Sequence, residues 1–269
     1  MAVVTFDVMT APTLLREWRQ HRRLSQLELS NKAGVSTRHL SFVETGRAQP
    51  SRDLLLHLAR SLDMPMRDTN RLLLTAGFAP VFGDAPIDAP EQRDAREAIE
   101  RVLKAHEPWP ALVVDRHWNL VMANNAAMLF TEDIPDALLA PPLNVLRVCL
   151  HPDGLAKRIT NLATMAHHVL GGLQRQIDAL GDPILEELAV ELRGYVAHLD
   201  VDGRTGENGV AVTMELRRGD TTLRFLNLIA TFGSAVDATT SELAIETFLP
   251  ADNATAAALS AGIASPAPR

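Results

Sequence analysis

Residues 25–51 read SQLELSNKAGVSTRHLSFVETGRAQPS, and the helix-ending residues in this stretch decide the fold of the first third of the chain. Ser25 can cap a helix, and Glu28 three residues on completes a capping box in which each side chain satisfies a backbone N–H at the other residue. Gly34 ends that helix by accepting the left-handed conformation. Ser36 caps the next one after the single joint residue Val35, so two short helices meet at a sharp angle. With Leu40 pointing inward, steps of about 100° per residue send Arg38, Phe42 and Thr45 to the opposite side, with Thr37 and Ser41 flanking. An outward phenylalanine is wasteful on bare surface: Phe42 either meets a partner or packs against the following helix.

Working outward, residues 12–23 form a first helix with Leu14, Leu15 and Trp18 beneath a basic face of Arg16, Arg19, Arg22 and Arg23. Pro50 and Ser51 open a fourth helix, Arg52 to Leu62, and Pro65 a fifth that Gly77 stops. The stretch APVFGDAPIDAP (79–90) is proline-rich and aperiodic. The sequence thus predicts an all-α, five-helix domain over residues 1–80 and a linker over 81–90.

Beyond it, an acidic-basic helix covers about 91–105. Two apolar, β-branched runs, 111–115 and 118–123, join at Arg116 and His117 as a hairpin. Asn124 or Asn125 caps a short helix, 134–142 is a loop, and 143–150, 155–180 and 183–198 read as helices. After an acidic loop at 200–209, strands are expected at 210–217, 221–229 and 241–248, the first two joined at Gly219 and Asp220. Residues 91–252 then make an α+β domain, an antiparallel sheet with helices on one face, a layer pair that can enclose a cavity. The Ala, Ser and Pro tail, 253–269, is expected to be disordered.

Composition supports two folded halves: 269 residues, 46% hydrophobic and 22% charged, close to the globular average. Residues 1–80 hold 11 Lys+Arg against 7 Asp+Glu and the remainder 15 against 26, a basic module joined to an acidic one. The lone cysteine, Cys149, excludes an intrachain disulfide framework and fits a reducing cytoplasm. No secretory signal and no uninterrupted apolar run long enough for a bilayer are seen, so a soluble, cytoplasmic protein without membrane insertion is expected. HExxH, P-loop and GxGxxG motifs are missing. His167 and His168 diverge by about 100° on a helix and cannot chelate one ion together. Cys149 lies near His151 but lacks an oriented third group. No enzyme, catalytic residue, metal site or cofactor is predicted.

The segment 25–51 resembles the helix-turn-helix of the phage-repressor (XRE) type, lambda-repressor-like in fold, through its Ser-Gln start, Gly34, the Leu40/Val43 pair, Glu44 with Gly46, and Pro50. Ser30 departs from the small apolar residue usual there, and its hydroxyl can bond back to the preceding turn. The resemblance implies double-stranded DNA as partner. Arg38 is then placed to donate twice to a guanine edge, Thr37 and Ser41 to reach base or phosphate, and Phe42 to touch a thymine methyl. Ser36 joins this face. Gln26 opens the preceding helix, where N–H groups favour phosphate, and Arg47 and Gln49 follow the recognition helix. Arg19 and Glu44 correspond to a buried ion pair in this family. Arg16, Arg22, Arg23 and Arg52 are either solvated surface or phosphate contacts. One such module reads little sequence, so a homodimer on two half-sites is expected.

Over most of its length the chain also resembles the MmyB-like regulators, which follow this module with a PAS-like ligand-binding domain. The likeness rests on RHLSFVETGRAQPSRDLLLHLARSLDMP, LLLTAGFAP, PWPALVVDRHWNLVMANNAA, NVLRVCLHPDGLAKRITN and DPILEELAVEL. It implies a transcription regulator controlled by a small apolar effector, with a fatty acid as the ligand type. An alternative is a second domain that serves only for dimerisation or for binding a protein partner. Candidate pocket residues are Met128, Leu146, Leu150 and Met165 for the apolar body, and Asn125, Arg147 and His151 for a polar head group, Arg147 because its planar fork suits a carboxylate. Ordinary core packing explains the apolar ones equally well.

Overall fold

The computed structural model describes residues 9–199 and 212–263. The expected acidic loop, the first residues of the strand from Val210, and 264–269 lie outside the described residues. In chain order the elements are α1 (Ala11–His21), α2 (Gln26–Ala33), α3 (Thr37–Glu44), α4 (Arg52–Ser61), α5 (Met66–Thr75), α6 (Arg93–Ala105), β1 (Ala111–Val114), β2 (Leu120–Ala123), α7 (Asp136–Leu139), α8 (Val145–Leu150), α9 (Leu162–Leu180), α10 (Pro183–Tyr195), β3 (Thr213–Arg218), β4 (Thr221–Thr231), α11 (Ala238–Ser241), β5 (Ala244–Pro250) and α12 (Asn253–Ile263). They fall into two units, one of Met1–Pro86 with Ser234–Ser241 and one of Ile87–Gly233 with Glu242–Arg269.

In the first unit the local signals act as their chemistry dictates. Ser25 and Glu28 make both halves of the capping box, and Gly34 takes φ 61°, which a side chain would strain. Ser36 Oγ accepts from the His39 N–H at 3.1 Å. Leu15, Leu29, Leu40, Leu55, Leu62 and Leu72 are buried together. Arg19 Nε and Nη2 donate to the two oxygens of Glu44 at 2.7 and 3.0 Å. Gln26 Nε2 donates to the same carboxylate at 2.8 Å, so one side chain ties α1, α2 and α3 together. Ser30 Oγ donates to Leu27 O at 2.8 Å and lies 2.8 Å from Thr37 Oγ1. Its hydroxyl is thus absorbed by the turn behind it and also joins α2 to α3. Arg22 donates to Leu62 O and Asp63 O at 2.7 and 2.8 Å, closing the end of α4 instead of standing free.

The expected linker needs correction over 81–86, because Asn70, buried in α5, holds it down. Its Nδ2 donates to Phe82 O at 2.8 Å, and its Oδ1 accepts from Val81 N and Phe82 N at 3.0 and 3.1 Å. Ser234–Ser241 belongs to this unit as well: α11 packs against α5, and Ala238 N donates to Gly83 O at 2.7 Å.

The second unit is built on a five-stranded antiparallel sheet in the order β2-β1-β5-β4-β3. Leu112, Val114, Leu216, Phe225 and Phe248 project into the main core on one face. The expectation of helices on one face alone is corrected by α6, whose Ile99 and Leu103 cover Ala111, Val113 and Leu243 on the other. The cause lies in β1, Ala-Leu-Val-Val, buried at every position and so in need of cover on both sides. α9 and α10 form a helical pair packed with α8 through Leu150, Leu173, Leu185 and Leu192. Asp182 caps α10 and receives Arg116 Nη2 at 2.6 Å and His117 Nε2 at 2.9 Å from the β1–β2 turn.

The expected disordered tail is also corrected, since residues 253–263 form α12. Asp252 Oδ1 accepts from Thr255 N at 2.7 Å and Arg224 N donates to Thr255 Oγ1 at 3.0 Å. Leu259, one turn on, is buried in the main core. Alanine is the strongest helix former, and two anchors spaced at i and i+4 suffice to seat such a helix.

Removing one partner of a buried pair leaves the other charge uncompensated, at about 3–5 kcal/mol. Urea unfolding of Glu44→Ala should show a loss of that order. The double replacement Arg19→Met with Glu44→Leu should cost far less, because neither charge remains.

Candidate functional site

α3 has two chemically distinct sides. Leu40 and Val43 are each 1% exposed, whereas Arg38, His39 and Thr45 are exposed and Ser41 and Phe42 are half-buried. The Arg38 guanidinium carbon lies 5.4 Å from the centre of the Phe42 ring, a cation–π arrangement. Phe42 is not part of the helical core. No hydrogen bond to a described residue holds the side chains of Arg38, Arg47 or Gln49, and all three are exposed. Ser36 caps the helix, and Thr37 is half-buried against Ser30. Gln26 is held by Glu44 at the start of α2, where the first N–H groups have no intrahelical acceptor. His39, left out of the sequence reading, stands exposed beside Arg38; the helix wheel places it 100° from Leu40.

The second unit holds a cavity of about 150 Å³ that opens to the surface, a size that takes up a benzene-sized molecule when apolar. Leu112, Leu120, Phe130, Val148, Met165, Val169, Met214 and Phe248 line it. Met128, 64% exposed, stands at its rim. Phe248 meets Phe130 edge to face with ring centres 4.7 Å apart, which fixes the wall on that side.

Two polar side chains from neighbouring strands interrupt this lining, Asn227 of β4 and Glu246 of β5. Side chains alternate along a strand, and Glu246 falls between Ala244 and Phe248 on the inward row. It is 7% exposed. Its carboxylate receives Asn227 Nδ2 at 3.4 Å, the one hydrogen bond to it among the described residues. Burial among apolar groups raises its pKa to about 7, with Asn227 pulling weakly the other way. Burial, reinforced by Glu246, pushes the Cys149 thiol up to about 12. Cys149 is therefore a neutral wall residue, not a nucleophile.

Of the residues expected at the pocket, Met128, Leu146 and Met165 line the cavity, and Asn125, Arg147, Leu150 and His151 do not. The reason is the turn of α8: Val145, Val148 and Cys149 face the cavity, while Arg147 and Leu150 project toward α10. Arg147 donates to both oxygens of Glu191 at 2.6 and 2.8 Å, and Tyr195 Oη donates to the same carboxylate. His151 packs edge-on against Tyr195, Leu150 belongs to the core shared with α9 and α10, and Asn125 is exposed. The cavity's own polar groups were missed because nothing local marks which face of β5 turns inward. No cluster of three metal-ligating side chains occurs among the described residues, and no helix among them is long and apolar enough to cross a membrane.

A carboxyl whose pKa is raised on folding binds its proton more tightly in the folded state, so stability falls as pH rises through the interval between its unfolded and folded values. For Glu246 that interval runs from about 4.5 to about 7, and the full cost, about 3 kcal/mol, is felt above it. Glu246→Gln should therefore stabilise the protein more at pH 8 than at pH 5, by about 2–3 kcal/mol in urea unfolding. An equal effect at both pH values would show that the carboxylate is not buried as described.

Residues 15–68 match the helix-turn-helix family. Residues 95–261 match the family described as the MmyB-like transcription regulator ligand binding domain. A search of curated proteins found no match. The paired helices α2 and α3, with an outward basic face, and the lined cavity lie within these two stretches: the chain belongs to the MmyB-like transcription regulators, a DNA-binding helix-turn-helix followed by a ligand-binding domain.

Proposed function

We propose that this protein is a cytoplasmic, homodimeric regulator whose grip on DNA is set by a small apolar effector held in the cavity of the second unit. The observation that carries the reading is the outward face of α3, where Arg38 and Phe42 stand together with no core behind them to explain an exposed arginine over a ring. In a major groove Arg38 donates to a guanine edge and Phe42 meets a thymine methyl. Ser36, Thr37 and Ser41 flank them, and Gln26, Arg47 and Gln49 hold the phosphate backbone. Pairing two such modules on half-sites about one helical turn apart supplies the sequence information one lacks.

The almost wholly apolar lining supports an effector with an alkyl body, as a fatty acid has. An effector acts only through unequal affinity for DNA-competent and DNA-incompetent states, a coupling of about 1–3 kcal/mol in typical cases. The chain offers a route for it. The strands that carry Asn227 and Glu246 are joined by a connection containing Ser234–Ser241, a segment that belongs to the DNA-binding unit. An effector lying against the inward face of those paired strands touches the two strands that lead into and out of that segment.

The test is selection of bound duplexes from a random library with the full chain, followed by anisotropy on the selected site. Arg38→Ala should cost about 1–3 kcal/mol there and relax preference at one base pair, whereas Arg47→Ala should weaken all duplexes alike and flatten the salt dependence by about one phosphate contact. A uniform loss for Arg38→Ala would remove its base-reading role. No binding to any duplex in dilute salt would remove the whole reading.

A further inference from the structure

We infer that the effector presents a hydrogen-bond donor to the Glu246 carboxylate inside the cavity, so that its polar end is a hydroxyl, an amine or an un-ionised acid and not a carboxylate anion. The inference rests on the effector reading above and adds the chemistry of the head group.

Glu246 occupies a position where strand alternation calls for an apolar residue, and at 7% exposure it has little water to solvate it. An ionised carboxylate only accepts hydrogen bonds, with room for about four. Among the described residues it receives a single long one, 3.4 Å from Asn227. A buried acid left this short of partners is costly, and the cost is removed by a molecule that brings a donor.

The rest of the lining decides against an anion. It contains no Lys, Arg or His. Thr131 Oγ1 already donates to Met128 O at 2.9 Å. From α8 the titratable group that faces Glu246 is the Cys149 thiol, kept neutral by burial; β1, α9 and the Phe130 turn present Leu112, Met165, Val169 and Phe130. The cation offered by the sequence for this pocket, Arg147, is taken by Glu191. A carboxylate head group would thus meet a like charge with no counter-ion. An acid can enter only with one proton shared between the two carboxyls, which makes its binding fall as pH rises above the range in which Glu246 ionises.

The experiment titrates the full chain by calorimetry with straight-chain probes of six to twelve carbons: the alkan-1-ol, the alkan-1-amine, the methyl ester, which accepts but does not donate, and the alkanoate. At pH 8 the alcohol or amine should bind at least tenfold more tightly than the ester of equal chain length. The alkanoate should weaken about tenfold per pH unit between pH 7.5 and 8.5. Glu246→Leu should abolish the preference for donors while the ester still binds, and Glu246→Gln, which keeps an acceptor, should retain part of the alcohol's advantage.

Alkanoate binding that is as tight as the alcohol's and independent of pH overturns the head-group inference and leaves the cavity reading standing. Ester and alcohol binding equally in the wild type does the same. Failure of every probe at every length overturns the effector reading itself, and this inference with it.

Discussion

The carboxylate of Glu44 governs what the first unit can present. α3 is eight residues long, too short to persist in water without its neighbours, and it carries an acidic residue at its C-terminal end, where the helix dipole disfavours one. Arg19 from α1 and Gln26 from α2 meet that carboxylate from separate helices. A pair of leucines could contribute as much stability, but apolar contact has no direction. The planar fork of an arginine on a carboxylate does, and it fixes the rotation of α3 about its own axis. With the rotation fixed, Leu40 and Val43 point inward, and the exposed arginine and half-buried phenylalanine face away from them.

The second unit holds a buried glutamate of the opposite kind. Glu246 has no arginine, and its one hydrogen bond to a described residue is at the limit of useful length. A sequence that caps its helices, packs its phenylalanines edge to face and seats α12 by two anchors obeys local rules closely, so a single inward acid on β5 stands out. Such departures concentrate where function needs them. The acid leaves a cavity wall short of hydrogen bonds, and on the proposal above that shortage is the source of selectivity, because a buried acceptor without a donor discriminates more sharply than apolar contact alone.

The helix-turn-helix was legible because its determinants are local. A cap, a box partner three residues on, a glycine and an i, i+3 apolar pair lie within one stretch, and the Ser30 hydroxyl bonds back within its own turn. Most of the order of helices and strands in the second unit was legible for the same reason, with α7 inside the expected loop 134–142 and α12 in the expected tail among the exceptions. What escaped depends on partners far along the chain. Arg147 reads as a carboxylate receptor until Glu191, 44 residues away, claims it. Residues 81–86 read as linker because nothing in their own composition announces Asn70. The alanines of 253–263 read as low complexity until β4 supplies the surface on which they form a helix. Glu246 could not be assigned to a face before the register of β5 against β1 and β4 was known, since a slip of one residue would turn it outward.

That register also sets where the cavity's acid sits in the sheet. Leu112 pairs with Glu246 and Ile229 pairs with Glu246 from the other side, so the residue facing the cavity lies in the middle of three hydrogen-bonded strands. β4 and β5 leave the sheet at the ends that bracket Ser234–Ser241, and Ala238 in that segment is fully buried in the first unit. Ladder and segment are each specified by packing within their own unit. The energy an effector can supply is bounded by its differential affinity for the states it discriminates, and on the proposal above that differential falls on Glu246, whose carboxylate has room for about four hydrogen bonds and receives one from the described residues.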